Sequence, residues 1–257
     1  MVTGVRAGPP RRRQSRISRV TLLTALQPWR EIDQAIHQRL VRFTDPREGQ
    51  EVLWIGCGAG RSPLWWAERF GAHVHGVDAD PDAIAKAEQA ARTAGLSQRV
   101  VFQTADPGSL PHESQTFDLT ILNALFVDAT DAPAVVREAA RVARPMSPVV
   151  AIVPTWLGTA SPADARQITR LGLSPYQLVE WKQVFRDAGF VEMAVDEAAD
   201  GGWLMPGLAG ALARAWRAAG WAGLTAVLSR PAAVLRRLSR RRVLGLCLVK
   251  GIRWPHR

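Results

Sequence analysis

The stretch EVLWIGCGAG at residues 51–60 leaves this chain few folds to choose from. Val52, Leu53, Trp54 and Ile55 form a short apolar run bounded by glycine, the pattern of a strand buried on both faces of a parallel sheet. Gly56, Cys57, Gly58, Ala59 and Gly60 follow as a turn. Residues without a Cβ permit positive φ there and let a ligand approach the backbone. Ser62-Pro63 then signals a helix start, with Pro in the first helical position. Strand, glycine turn and helix N-terminus make the nucleotide-binding corner of a doubly wound α/β fold. A second strand, residues 72–77, runs into Asp78, which lies 22 residues beyond Gly56. An acid at that distance and at a strand tip is placed to accept hydrogen bonds from a ribose diol.

The remaining pattern alternates helix and strand. Residues 17–43 have helical spacing, with Trp29, Ile32, Ile36, Leu40 and Phe43 on one stripe. Asp80-Pro81 caps a helix that Gly95 stops. A strand over 99–103 precedes Asp106, and a strand over 116–122 leads into Asn123-Ala124-Leu125-Phe126. Asp131 opens a helix over 133–143, Arg144-Pro145 turns the chain, and a fifth strand covers 149–153. Residues 154–175, with Trp156, read as irregular. Tyr176, the sole tyrosine, opens a helix that ends at Gly189. Strands over 190–196 and 242–252 enclose a segment, 197–241, whose Leu, Val and Trp residues recur at helical intervals among many arginines.

The glycine spacing is G-x-G-x-G, with Arg61 where the dinucleotide fingerprint would want glycine. Together with Asp78, Asp106 and the order of elements, it resembles the class I S-adenosylmethionine-dependent methyltransferases. The likeness is to the small-molecule branch related to quinone-biosynthesis methyltransferases (methyltransferase type 11), over roughly residues 45–197. The resemblance implies an α/β fold: a Rossmann-like, seven-stranded, mainly parallel sheet with an antiparallel last strand, and here a helical insertion between the last two strands. It divides the chain into a basic tail (1–16), an N-terminal helical cap (17–44), a cofactor-binding core (45–196 and 242–254) and an inserted basic amphipathic cap (197–241). It implies S-adenosylmethionine as cofactor, S-adenosylhomocysteine as product, no metal, and a small-molecule acceptor. Gly56, Cys57, Gly58 and Gly60 would face the methionine end. Asp78 and Ala79 would meet the ribose, Asp106 the adenine amine, and Asn123 the methyl-transfer edge. Phe126, Trp156, Tyr176 and Trp203 are candidates for an apolar or aromatic acceptor pocket. Asp128, Tyr176 and Glu180 are candidates to take or orient the acceptor's proton.

Two features pull against the simplest version of this reading. The family usually carries an acid two residues before the first glycine, and here that residue is Trp54, which accepts no hydrogen bond. Three outcomes follow: the turn is held differently, cofactor affinity is lowered, or the domain is a diverged, noncatalytic binding protein. The second feature is charge. Residues 51–202 carry twelve Lys/Arg and nineteen Asp/Glu, whereas residues 203–257 carry eleven and none. Basic flanks suit an anionic surface or ligand, or reflect an Arg-rich coding bias, since 30 of the 33 basic residues are Arg. The tip after the fourth strand lacks an N-P-P-Y or D-P-P-Y sequence, which argues against base methylation and leaves RNA methylation the weaker alternative. Peripheral contact of 203–242 with an anionic membrane stays open beside plain packing on the core.

Cys57 and Cys247 are the only cysteines, and the first twenty residues lack an apolar core segment. The expectation is a reducing compartment, with the protein cytoplasmic and the membrane contact optional. His73 and His75 share a strand face, but no third or fourth ligand stands at metal spacing.

Overall fold

A computed structural model describes residues 29–124, 132–170, 173–197 and 230–255. The basic tail, Phe126, Asp128, Trp203 and most of the 197–241 segment lie outside the described residues. The chain begins with helix α1 (Trp29–Thr44) and enters the sheet at β1 (Glu51–Ile55). Helix α2 (Arg61–Phe70), β2 (His73–Asp78), α3 (Pro81–Ala94) and β3 (Val100–Thr104) complete the first half. The second half runs β4 (Leu119–Asn123), α4 (Ala132–Val142), β5 (Pro148–Trp156) and α5 (Pro162–Arg170). It continues with β6 (Tyr176–Gln177), α6 (Leu178–Asp187), β7 (Phe190–Glu197), α7 (Arg230–Arg240) and β8 (Leu244–Arg253).

Among the described residues, eight strands form one sheet in the order β3-β2-β1-β4-β5-β8-β7, with β6 paired to β5 off that path. The first five strands run parallel to one another, and β8 runs antiparallel to both β5 and β7. The seven expected strands are therefore present, and β6 is an addition. Because β8 occupies one side of β5 as far as Trp156, the Thr155–Tyr176 and Trp156–Gln177 pairs must lie on the other side. There β6 continues the lane that β4 leaves after Asn123 pairs with Ile152.

Strand alternation divides the core in two. Val52, Trp54, Ile121 and Leu248 face a cluster with Leu40, Trp66, Ala87 and Leu235. Leu53, Ile55, Leu122 and Val249 face Val136, Trp181 and Phe185. Both faces are covered, as a parallel sheet requires.

Several boundaries move for local reasons. Helix α2 opens at Arg61 rather than at Pro63, because Gly60, at φ 80°, already turns the chain. Pro63 is still tolerated, since first-turn N–H groups have no intrahelical acceptor. Residues 162–170, expected to be irregular, form a helix: Ser161 Oγ accepts the Asp164 N–H at 3.1 Å and Pro162 sits in the first position. Tyr176 stands on β6, one step before the helix it was expected to open. Among the described side chains of α1 the buried ones are Ile36, His37, Leu40 and Thr44, while Phe43 is half-buried beneath Lys250; the side chains of Trp29 and Ile32 lie outside the described residues.

Candidate functional site

The C-terminal ends of β1, β2, β3 and β4 bring the expected cofactor residues together. At the tip of β1 the Gly56 and Cys57 N–H groups donate to the Val77 carbonyl, at 2.8 and 3.0 Å. Gly60 N–H closes the turn on the Cys57 carbonyl at 3.1 Å. Gly56, Gly58 and Gly60 have φ of 74°, 52° and 80°. At Gly60 a Cβ would lie 2.6 Å from Phe102 Cζ and 2.8 Å from Ala87 Cβ, so conformation and space both demand glycine. At Gly58 a Cβ would meet nothing within 4 Å. That face of the turn is open, which is the room a ligand lying on the backbone needs.

Asp78 ties the turn to β2. Its Oδ2 accepts the Gly58 N–H at 2.8 Å and its Oδ1 the Asp80 N–H at 3.0 Å. The residue is 7% exposed. Burial pushes its carboxyl above the usual range, and the backbone N–H groups of Asp80, Gly58 and Ala79 pull it back. A carboxylate offers about four acceptor positions, so capacity remains for a hydroxyl donor. Asp80 meanwhile caps α3, accepting the Asp82 N–H at 3.0 Å. Helix α2 has no side-chain cap at its N-terminus, where Arg61 lies exposed beside the turn.

Asp106, past the tip of β3, is exposed, and its Oδ1 accepts the Gly108 N–H at 2.8 Å. Asn123 ends β4 half-buried. Trp156 ends β5 and Tyr176 stands on β6, both half-buried at the same end of the sheet as the glycine turn. They pack toward opposite faces, Trp156 with the Trp54 cluster and Tyr176 with the Trp181 cluster. The Tyr176 ring lies 5.0 Å from that of Trp181, which is anchored by its Nε1–H donating to the Pro154 carbonyl at 3.2 Å. Glu180 stands apart from this group: it is exposed, and Oε2 accepts the Gln177 N–H at 2.6 Å in a capping box that starts α6.

Trp54 is 1% exposed. Its ring meets Trp66 edge-on at 5.9 Å and His37 at 6.2 Å, and His37 stacks on Trp65 at 4.3 Å. The turn beside it is held by Val77 and Asp78 instead of an acid on β1. Burial, with the Arg61 charge nearby, lowers His37 to about 4, so the imidazole is neutral near pH 7. His37, Trp65 and Phe102 were not anticipated as neighbours of the site. The signal for His37 was its place between Ile36 and Leu40. That for Phe102 was a large ring in β3 opposite Gly76, where a Cβ would come within 2.5 Å of it.

Burial is the main reason the Cys57 thiol is pushed far up, and the Asp78 carboxylate adds to the effect. Cys57 therefore stays a protonated, packed thiol rather than a nucleophile. His75 lies 4.0 Å from Glu51 and edge-on to His112 at 5.5 Å, near the opposite end of the sheet from the glycine turn. Among the described residues no group of three or more His, Cys, Asp or Glu could hold a metal ion, and no helix is long and apolar enough to cross a membrane.

Residues 52–146 match a family model described as a methyltransferase domain. Methyltransferase GfsG of Streptomyces halstedii is 32% identical over 122 residues, which is 48% of this chain and 44% of that protein. The chain thus spans less than half the length of this curated relative. Among solved structures, Haemonchus contortus phosphoethanolamine N-methyltransferase 2, in complex with phosphomonomethylethanolamine and S-adenosylhomocysteine, superposes with TM-score 0.77 at 18% identity, over 95% of this chain and 59% of that one. The [4+2]-cyclase SpnF superposes with TM-score 0.71 at 20% identity, over 90% and 85% of the two chains.

Proposed function

We propose that this chain, whose residues 52–146 match a family model described as a methyltransferase domain, transfers the methyl group of S-adenosylmethionine to a small, apolar or aromatic acceptor of natural-product or quinone-like type. The observation that carries the reading is the Asp78 carboxylate, joined to the open glycine turn through Gly58 and retaining acceptor capacity at the strand tip. The bound cofactor supplies an electrophilic methyl group on a sulfonium. The chain's part is to bind, orient and dehydrate. Asp78 accepts from the ribose hydroxyls and Asp106 from the adenine amine. The bare N–H groups at the start of α2 and the Arg61 charge receive the methionine carboxylate. Bound S-adenosylmethionine would supply the methyl group and leave as S-adenosylhomocysteine, and the proton of an O- or N-acceptor would pass to water. The reading gives Tyr176, in the lane of β4 beyond Asn123, the part of holding the acceptor by its hydroxyl, while Trp156, which packs toward the other face, offers an apolar surface at the same end of the sheet.

The test is titration calorimetry with S-adenosylmethionine and S-adenosylhomocysteine. Micromolar binding of both is expected, weakened in Asp78→Ala by roughly tenfold to a hundredfold, the worth of one or two hydrogen bonds to a charged group. No binding of either ligand to the wild-type protein would defeat the proposal. A second reading, a diverged protein that does not transfer methyl groups, draws on Trp54 and on the similarity to a cyclase of the same fold. It predicts cofactor binding without conversion to S-adenosylhomocysteine for any acceptor tried.

A further inference from the structure

Helix α7 spends its apolar face on the core. Leu235 and Leu238 are buried in the cluster that holds Trp54, and Ser239 is fully buried beside them. Its outer face carries Arg237, which pairs with Asp164 of α5, and then Arg240. Arg241 and Arg242 continue past the helix end, the latter with φ of 55°. Arg240, Arg241 and Arg242 are all exposed and make no ion pair with a described residue. Three consecutive arginines are thus exposed where α7 passes into β8, without a described counter-charge.

Their place is set by register. Val243 accepts the Leu157 N–H at 2.9 Å, and Leu244 pairs with Trp156, the last residue of β5. The arginines therefore crown the same end of the sheet as the glycine turn, Asn123 and Tyr176, on the side of β5 away from β1. Half-buried Leu157, Val234 and Val243 lie next to them. On the far side of that end stand Asp78, Asp80 and Asp106, so the rim is cationic at one edge and anionic at the other.

We infer that Arg240, Arg241 and Arg242 form a docking patch for an anionic lipid bilayer, holding the acceptor end of the sheet against the membrane surface. Because the α7 leucines are already committed to the core, the contact is electrostatic and peripheral rather than an inserted amphipathic helix. A short run of consecutive exposed arginines with apolar neighbours suits a headgroup layer. A nucleic-acid backbone would have to continue from it across the acidic edge. The inference enlarges the function proposed above, giving it an acceptor that enters from the lipid phase, but its test is independent of turnover.

The test is flotation of the full chain with vesicles of phosphatidylcholine alone and of phosphatidylcholine containing phosphatidylglycerol. Binding is expected only to the second and is lost on raising salt. Arg240→Gln/Arg241→Gln/Arg242→Gln should weaken it roughly a hundredfold, at about fivefold per lipid-facing charge. The triple Lys variant should retain binding, and Arg11→Gln/Arg12→Gln/Arg13→Gln should be unaffected. Unchanged cofactor affinity in the Gln variant separates loss of the patch from loss of the fold or of the function proposed above. Equal binding to both vesicle types, equal loss in both Gln variants, or preference for a single-stranded RNA over the charged vesicles at matched phosphate would each overturn the inference.

Discussion

At position 54 an indole replaces a hydrogen-bond acceptor, and its neighbours account for the exchange. The Val77 carbonyl and the Asp78 carboxylate hold the glycine turn from β2, which leaves Trp54 free to pack with Trp66 and His37. Restoring an acid should therefore harm the protein. Trp54→Asp is expected to cost more than about 3 kcal/mol in urea unfolding, because it empties an aromatic site and buries an unpaired charge. His37 makes a second prediction. Its folded value of about 4 lies below the ordinary 6.5 because burial disfavours the imidazolium. As the pH falls through that window, the unfolded chain takes up a proton that the folded chain refuses. Stability is then full above about 6.5 and declines toward 4 by up to about 3 kcal/mol. Denaturant midpoints measured across that range should show the decline, and His37→Phe should flatten it. The identity of Trp54 and the place of Asp78 at the tip of β2 could be read from the chain. The grip of Asp78 on Gly58 could not, because the two residues are twenty positions apart and meet only once β1 and β2 are paired.

At the scale of elements, the three glycines of the turn are unequal. Gly60→Ala meets Phe102 and Ala87 as well as a left-handed backbone, and should destabilise by several kcal/mol. Gly58→Ala has open space and should cost only about 1–2 kcal/mol of backbone strain, while obstructing the ligand. Thermal unfolding beside cofactor titration separates the two. The start of α6 divides in the same way. Glu180→Ala should lose about 1 kcal/mol of helix stability through the capping box and leave turnover intact, whereas Tyr176→Phe should fold normally and lower turnover. Helix α3 was legible from end to end because Asp80, Pro81 and Gly95 each fix a backbone conformation. Helix α5 was not, because its nine residues stand among glycine and proline signals. A two-residue strand such as β6 has no periodicity at all, and its pairing exists only because β5 outruns β4.

For the whole molecule, the positive charge that follows residue 202 takes a direction among the described residues: α7 leads into β8, between β5 and β7, and carries Arg240 to Arg242 to the same end of the sheet as the glycine turn. That charge could be counted in the sequence, but its direction needed the register of β8. The sheet order has another consequence, in the time domain of protein synthesis. Strand β7 joins the sheet only through β8, yet it leaves the ribosome first, and residues 198–243 must be translated before its partner emerges. During that interval β7 has no edge to dock on, and the flank of β5 that β8 will cover is bare. The nascent chain is thus most exposed to chaperones and proteases just before its final strand is made, and insertion of β8 closes both gaps at once.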